Sequence, residues 1–310
     1  MFNNIYEGKK VLITGNTGFK GSWLTCWLLK LGAKVFGYSS DIPSNPSLFE
    51  VLNLEEKIVH FNKDVRDYSS LRETVLEIKP DFIFHLAAQA LVSVSYSNPI
   101  ETISTNVIGT TNILEVLRLL NSPCTAVLIT SDKCYDNVEW GWGYRENDVL
   151  GGKDIYSGSK GAAELVIKSY FHSFFKINNS NIRISSARAG NVIGGGDWAL
   201  DRIIPDCMKA WSKKNIVEIR SPNATRPWQH VLEPLSGYLL LGQKLAKNDI
   251  LNGESFNFGP PANYNHTVVE ILEDLKKFWS FNLEKGFFKI NEEKKFHEAG
   301  LLKLNCDKAL

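Results

Sequence analysis

KVLITGNTGFKG, residues 10–21, is the stretch on which the fold turns. Lys10–Thr14 is a short apolar, β-branched run of the kind that forms a buried strand. It leads directly into Gly15, Gly18 and Gly21. Glycines at this spacing permit a tight turn, close backbone approach to a pyrophosphate, and close packing of the next helix on the sheet. Trp23, Leu24, Trp27, Leu28 and Leu31 follow at helical spacing, so the free amides of that helix's first turn would face the phosphates. Gly15, Thr17, Gly18, Phe19, Lys20 and Gly21 are therefore the first candidate dinucleotide contacts.

Working outward, further apolar runs recur with helical or turn segments between them: Lys34–Tyr38, Ile58–Phe61 leading to Asp64-Val65, 82–88, Ala126–Ile129 and Asn181–Ser186. That alternation predicts an α/β fold, a Rossmann-like doubly wound parallel sheet covered on both faces. A dinucleotide would lie along the C-terminal ends of the strands, which adds Asp64, Val65, Leu86, Ala87 and Ala88 to the candidates. An acid at the end of the second strand would bind a ribose diol and repel a 2′-phosphate. Tyr38-Ser39-Ser40-Asp41 contains no arginine, and Asp41 is its nearest acid.

Chemistry gathers in Ile129–Tyr135 (ITSDKCY) and in Tyr156 and Lys160 of DIYSGSK. A free phenol has a pKa near 10 and is a poor base at neutral pH. Lys160 lies four residues on, on the same helical face, so its ammonium is expected to favour the phenolate of Tyr156. Ser131, past the end of an apolar strand, is placed to hydrogen-bond the same substrate oxygen. Together the three could take the proton from an alcohol as its hydride leaves.

The 310 residues are 44% hydrophobic, enough for a substantial core in one or two domains, and carry a net charge of +1. Near-neutrality gives no electrostatic case for nucleic acid or an anionic membrane. No stretch approaches transmembrane length and no basic segment with an apolar run opens the chain, so the expected location is the cytoplasm. Five cysteines show no C-x-x-C pair, as in reduced cytosolic enzymes, and six histidines show no H-x-x-x-H spacing, so no metal is expected.

TGNTGFKG, Asp64-Val65, HLAAQ (85–89), Asn106 with Gly109, TSDK (130–133) and YSGSK (156–160) together resemble the extended short-chain dehydrogenase/reductases. Within them, TGFKGSW, TSDKCYDN, WGYREND, LGGKDIYSGSK, GNVIGGGDWALDRIIPD and RPWQHVLEP resemble the CDP-glucose 4,6-dehydratases over nearly the whole chain. The resemblance implies NAD as a tightly held catalyst, CDP-glucose as the small-molecule substrate and an internal redox cycle. In that cycle the C4 hydroxyl is oxidised with Tyr156, Ser131 and Lys160, water leaves across C5 and C6, and hydride returns to C6. Asp132 is the candidate for protonating the departing C6 hydroxyl. The dTDP-glucose dehydratases carry glutamate where this chain has Lys133, and threonine at the place of Ser131. Lysine there resembles the CDP-glucose enzymes and leaves the C5 base open among a neutral Lys133, Asp132 and Tyr156.

The resemblance also implies Asn106 as a cofactor contact and Gln89, Asn191, Arg202 and Arg226 as substrate contacts, Arg202 as a bidentate pyrophosphate clamp. It implies a nucleotide-binding domain over 1–188 with a return segment near 226–258. A substrate lobe would occupy 189–225 and 259–310, ending earlier than in similar enzymes. A homo-oligomer, dimer or tetramer, is expected, with 98–120 and 156–176 as the usual pairing helices. The enzymatic rival is a nucleotide-sugar 4-epimerase, and the non-enzymatic one a dinucleotide-sensing regulator, expected to lack Tyr156 or Lys160.

Overall fold

The computed structural model describes residues 1–176, 181–261, 263, 264, 266–279, 286–291 and 299–310. Strand and helix alternate from the start: β1 (Lys10–Thr14), α1 (Phe19–Lys30), β2 (Lys34–Ser39), α2 (Leu48–Val51), β3 (Val59–Asn62), α3 (Tyr68–Ile78) and β4 (Phe82–His85). Next come α4 (Val92–Ser97), α5 (Pro99–Ile103), α6 (Gly109–Leu119), β5 (Cys124–Ile129), α7 (Ile155–Tyr170) and β6 (Ile182–Ala189). The remainder holds β7 (Val192–Ile193), α8 (Ile203–Ser212), β8 (Val217–Ile219), β9 (Thr225–Arg226), β10 (Gln229–His230) and α9 (Leu232–Leu245). It closes with β11 (Ser255–Phe258), β12 (His266–Thr267), α10 (Val268–Lys276) and β13 (Phe288–Ile290).

Seven strands form one sheet in the order β11-β6-β5-β4-β1-β2-β3, every neighbouring pair parallel. The expected α/β doubly wound sheet is present. Chain order reverses between β1 and β4, so a crevice opens at the C-terminal ends of those two strands, where open α/β sheets bind ligands. Successive side chains of β1 point to opposite faces. Val11 and Ile13 enter a core with Leu24 and Leu28 of α1 and Leu235, Tyr238 and Leu239 of α9. Leu12 enters the other, with Leu71 and Val75 of α3 and Ile113 and Leu117 of α6. A smaller core around Trp211 joins α8 and β8 to α10 and Phe287. The 259–310 segment includes 262, 265, 280–285 and 292–298, which lie outside the described residues.

Two departures from the sequence reading bear on the site. The fourth strand ends at His85: the Leu86 amide makes the last ladder bond to the Thr14 carbonyl (3.0 Å), and the Ala87 amide then turns to the Thr14 side-chain hydroxyl (3.2 Å). The helix read as 98–120 contains a π-helical segment, Ser104–Ile108, between α5 and α6. The extra residue rotates Asn106 into the interior, and π segments of this kind recur at functional sites.

Candidate active site

The turn between β1 and α1 is built to bring backbone close to a ligand. Gly15 has φ +74°, and a Cβ there would lie 2.7 Å from the Ala87 amide nitrogen. A Cβ on Gly21 would lie 2.0 Å from the Gly15 carbonyl oxygen, so α1 seats on the turn only with glycine at that position. α1 starts at Gly18 with no side-chain cap and no acidic residue in its first turn, which leaves the first amides and the helix dipole for an anion. Thr17 is spent on structure, its hydroxyl donating to the Asp41 carbonyl (2.6 Å). Asp41 stands two residues beyond β2, exposed, with Ser40 donating to its carboxylate (2.8 Å).

Several residues read as cofactor or substrate contacts shape this crevice from behind. Asn106 accepts from the Gln89 amide (2.8 Å) and donates to the Gln89 carbonyl (3.1 Å) and to Ser159 of α7 (2.9 Å). Gln89 uses its own side chain to fold the next turn, accepting from the Leu91 amide (2.6 Å) and donating to Leu91 O and Thr102 Oγ1 (2.9 Å each). Gln89 is not among the residues that line the cleft described below. Asp64 is bound by Arg66, and Val65 is buried, fixed by Asn112 donating to its carbonyl (2.9 Å). His85 is buried between Thr14 (2.7 Å to Nδ1) and Thr110 (3.1 Å to Nε2). Thr110 already donates to the Asn106 carbonyl, so it accepts from Nε2–H and Thr14 donates to Nδ1. Burial, with Lys160 nearby, holds this neutral imidazole's pKa down to about 3.

The catalytic candidates converge. Ser131 follows β5 and caps the short turn Asp132–Cys134, its hydroxyl accepting from the Lys133 amide (3.2 Å) and donating to Asp132 Oδ1 (2.9 Å). Asp132 is 2% exposed, and its Oδ2 is buried without a hydrogen-bond partner. Burial raises its pKa from the ordinary aspartate value, against the field of Lys133, the hydrogen bond from Ser131 and the fields of Arg226 and Lys20. Tyr156 and Lys160 are presented from the first turns of α7, which Asp154 caps by accepting from the Ser157 amide (3.0 Å). Lys133 Nζ stands 5.9 Å from the centroid of the Tyr156 ring.

The expected depression of the Tyr156 pKa by Lys160 does not arise in the protein alone. Burial pushes the phenol up to about 12, and the hydrogen bond with Ser131 is the chief opposing influence. Lys160 is itself buried and drawn down to about 8, with Glu164 as its main counter-charge. Spacing showed that the two share a face; it could not show that both are desolvated. Cys134 is buried, and burial raises its thiol well above the usual range.

Ser131, Asp132, Lys133 and Tyr156 form one wall of a cleft of about 630 Å³. Asn191, Arg202 and Arg226 line the same cleft, so the structure brings these three substrate candidates to the catalytic wall. Arg202, at the start of α8, is held by Asp197 (2.8 Å). Lys20 goes beyond its sequence reading. Its side chain leaves the glycine turn and enters the cleft 6.0 Å from the Tyr238 ring centroid, where burial, Arg202 and Lys160 draw its pKa down to about 8. Among the described residues no group of three or more potential metal ligands gathers, and no helix is long and apolar enough to cross a membrane.

A glycine turn at the switch point of a parallel sheet, with Ser131 and Tyr156 in an adjoining cleft and Lys160 buried one turn beyond Tyr156 on α7, is the arrangement of an extended short-chain dehydrogenase/reductase. The profile of the GDP-mannose 4,6 dehydratase family matches residues 12–296, and the chain belongs to that family of enzymes. It is 48% identical over 309 residues to the CDP-glucose 4,6-dehydratase of Salmonella typhimurium, covering 99% of this chain and 85% of that one. In fold it is similar to an epimerase of Methanothermobacter thermautotrophicus (TM-score 0.83, 24% identity, 99% and 87% of the two chains). It is similarly close to a dTDP-glucose 4,6-dehydratase of Bacillus anthracis in complex with NAD (TM-score 0.80, 20% identity, 97% and 89%). The scaffold is thus shared by epimerases and dehydratases, and the site has to separate them.

Proposed function

We propose that the chain catalyses the NAD-dependent dehydration of CDP-D-glucose to CDP-4-dehydro-6-deoxy-D-glucose and water. The observation that carries this reading is Asp132: a buried carboxyl with one unpartnered oxygen, raised pKa and a place on the cleft wall beside Ser131 and Tyr156. Burial that favours the neutral form of a carboxyl suits it to act as a general acid. Epimerisation at C4 has no departing hydroxyl to protonate, whereas dehydration does. The 48% identity to a CDP-glucose 4,6-dehydratase supports the choice of sugar nucleotide.

The glycine turn, the uncapped start of α1 and the crevice over β1 and β4 fit a dinucleotide, with Gly15, Gly18, Phe19 and Gly21 supplying close backbone. When bound, NAD supplies the acceptor for hydride from C4 and its return to C6. Tyr156 takes the C4 hydroxyl proton while Ser131 hydrogen-bonds the same oxygen and Lys160 supports the developing phenolate. Asp132 protonates the C6 hydroxyl. The C5 proton falls to Lys133, Asp132 or Tyr156, the acid–base groups of this wall. Arg202 and Arg226 face the CDP pyrophosphate, and Asn191 a phosphate or sugar oxygen. The enzyme works in the cytoplasm as a homo-oligomer, pairing through 98–120 and 156–176, and feeds deoxysugar synthesis for lipopolysaccharide.

The test is a panel of CDP-, UDP-, dTDP- and GDP-glucose, with CDP-glucose deuterated at C4, analysed by mass and NMR. The CDP sugar should react preferentially and carry its deuterium to C6 of a 4-keto-6-deoxy product. Return of the label to C4 in CDP-galactose would assign the chain to the epimerases instead.

A further inference from the structure

Lys20 stands where the two ligands have to meet. Its backbone belongs to the first turn of α1, between Gly18 and Gly21, where the phosphates of a dinucleotide are received. Its side chain leaves that turn, half-buried, and lines the cleft together with Ser131, Asp132 and Tyr156. Hydride leaves the same carbon whose hydroxyl gives its proton to Tyr156, so the nicotinamide has to lie in contact with that carbon. The reactive half of the dinucleotide therefore runs from the first turn of α1 to the Tyr156 wall. The Lys20 side chain spans the same interval.

The ammonium of Lys20 has no fixed counter-charge. Among the described residues no carboxylate forms an ion pair or hydrogen bond with it, and its aromatic neighbour is the Tyr238 ring, 6.0 Å away at the centroid. The acids that face it are Asp132, whose burial favours the neutral form, and Asp197, already paired with Arg202 (2.8 Å). The other charged groups that face it, Arg202 and Lys160, are cations. A desolvated ammonium without a partner is costly, so a charge brought by a ligand either relieves or aggravates it.

During turnover C4 gives up its hydrogen with two electrons as hydride and its hydroxyl proton to Tyr156, which leaves a C4 ketone. Receipt of the hydride turns a cationic nicotinamide into a neutral one, and return of the hydride to C6 restores the cation. The phosphates are common to both oxidation states. Any attraction of Lys20 to them cancels when the two states are compared.

We propose that the Lys20 ammonium sets the redox poise of the bound dinucleotide, opposing the cationic oxidised form and favouring the neutral reduced form; the inference rests on the reading above that C4 passes its hydride to a bound dinucleotide. The charge assists the first hydride transfer, out of an unactivated alcohol. It also holds the hydride on the enzyme while water leaves, because premature return to C4 would restore a cation beside a cation. This role is distinct from contact with the phosphates.

The experiment equilibrates the holoenzyme with NAD/NADH mixtures of set ratio, without sugar nucleotide and at fixed pH and ionic strength, and reads bound NADH by its fluorescence. Wild type, Lys20→Met, Lys20→Gln and Lys20→Arg are compared. The Met and Gln variants should need a mixture roughly ten-fold richer in NADH to reach half-reduced occupancy, the effect of two like charges about 10 Å apart at an effective dielectric of about 20. Lys20→Arg, which keeps the charge, should follow the wild type. A merely structural role would weaken both forms alike and leave the ratio in place. The wild-type ratio in both neutral variants would overturn the proposal, as would an Arg variant that shifts with them. Neutral variants that bind neither form would make Lys20 a phosphate anchor and overturn it as well. A wild type that binds neither dinucleotide is a different result, and refutes the dinucleotide reading itself.

Discussion

Asp132 owes its chemistry to burial. In water an aspartate is ionised at pH 7, whereas here desolvation shifts the balance toward the protonated form against three nearby cations. Asp132→Asn keeps the shape and hydrogen-bonding capacity but has no proton to give in the elimination. C4 oxidation should survive while net turnover falls by about 10²–10⁴-fold, and the variant should accumulate reduced nicotinamide, seen by its near-ultraviolet absorbance. Product formation at the wild-type rate would remove Asp132 from the reaction. The triplet Ser131-Asp132-Lys133 and the Tyr156/Lys160 pair were legible because their chemistry is written in residue type and spacing. The charge states were not, because they depend on burial, and burial is set by α7, β5 and the 190–202 loop together. Lys20 shows the same limit: its place in the glycine turn was readable, and the direction of its side chain into the cleft was not.

Elements position these residues through a few close contacts. Gly15 combines a left-handed φ with a Cβ position 2.7 Å from the Ala87 amide, so Gly15→Ala must strain the backbone and push β4's continuation away from β1. A strained φ of this kind costs of order 1–3 kcal/mol before the clash is added. The variant should melt earlier and bind NADH at least ten-fold more weakly by fluorescence titration; unchanged affinity would place the dinucleotide elsewhere. His85 supplies a second element-level prediction. Its folded pKa, about 3, lies below the ordinary 6.5, so the unfolded chain binds the proton first as pH falls. Stability is therefore full above about 6.5 and is lost progressively toward about 3, by about 3 kcal/mol at pH 4. His85→Gln, less stable at neutral pH, should show a shallower acid slope in urea denaturation, by about 1.4 kcal/mol per pH unit. Identical slopes would mean that another group titrates. β1, α1 and the sheet were readable from period-2 and period-3.6 patterns. The π segment 104–108 was not, since one inserted residue leaves the apolar pattern of α5 and α6 intact on either side.

At the scale of the molecule, the catalytic wall is anchored from behind by a buried polar network that no motif announces. Glu164, one turn past Lys160, and Arg188 of β6 form an ion pair at 2.8 Å with side chains only 2% and 3% exposed. Thr130 and Ser186 donate to Glu164, and Arg188 donates to Tyr135 (2.8 Å) and to the Glu146 carbonyl (2.9 Å). Tyr135 in turn donates to Asn257 of β11 (2.7 Å), whose amide reaches the carbonyls of Tyr144 and Asn305 (2.9 Å each). One network thus joins β5, α7, β6, β11, the 135–146 segment and residues near 305, and fixes both sides of Ser131–Lys133. In sequence these are scattered polar residues up to 175 positions apart, and only folding makes them neighbours. Removing one partner of such a pair strands a desolvated charge, which typically costs about 3–5 kcal/mol, whereas replacing both by apolar residues is often nearly neutral. Arg188→Ala should therefore lower the urea midpoint sharply, and the Arg188→Met/Glu164→Leu double variant should recover most of the loss. Losses that simply add would show that the two side chains act independently, and that the wall is held by packing alone.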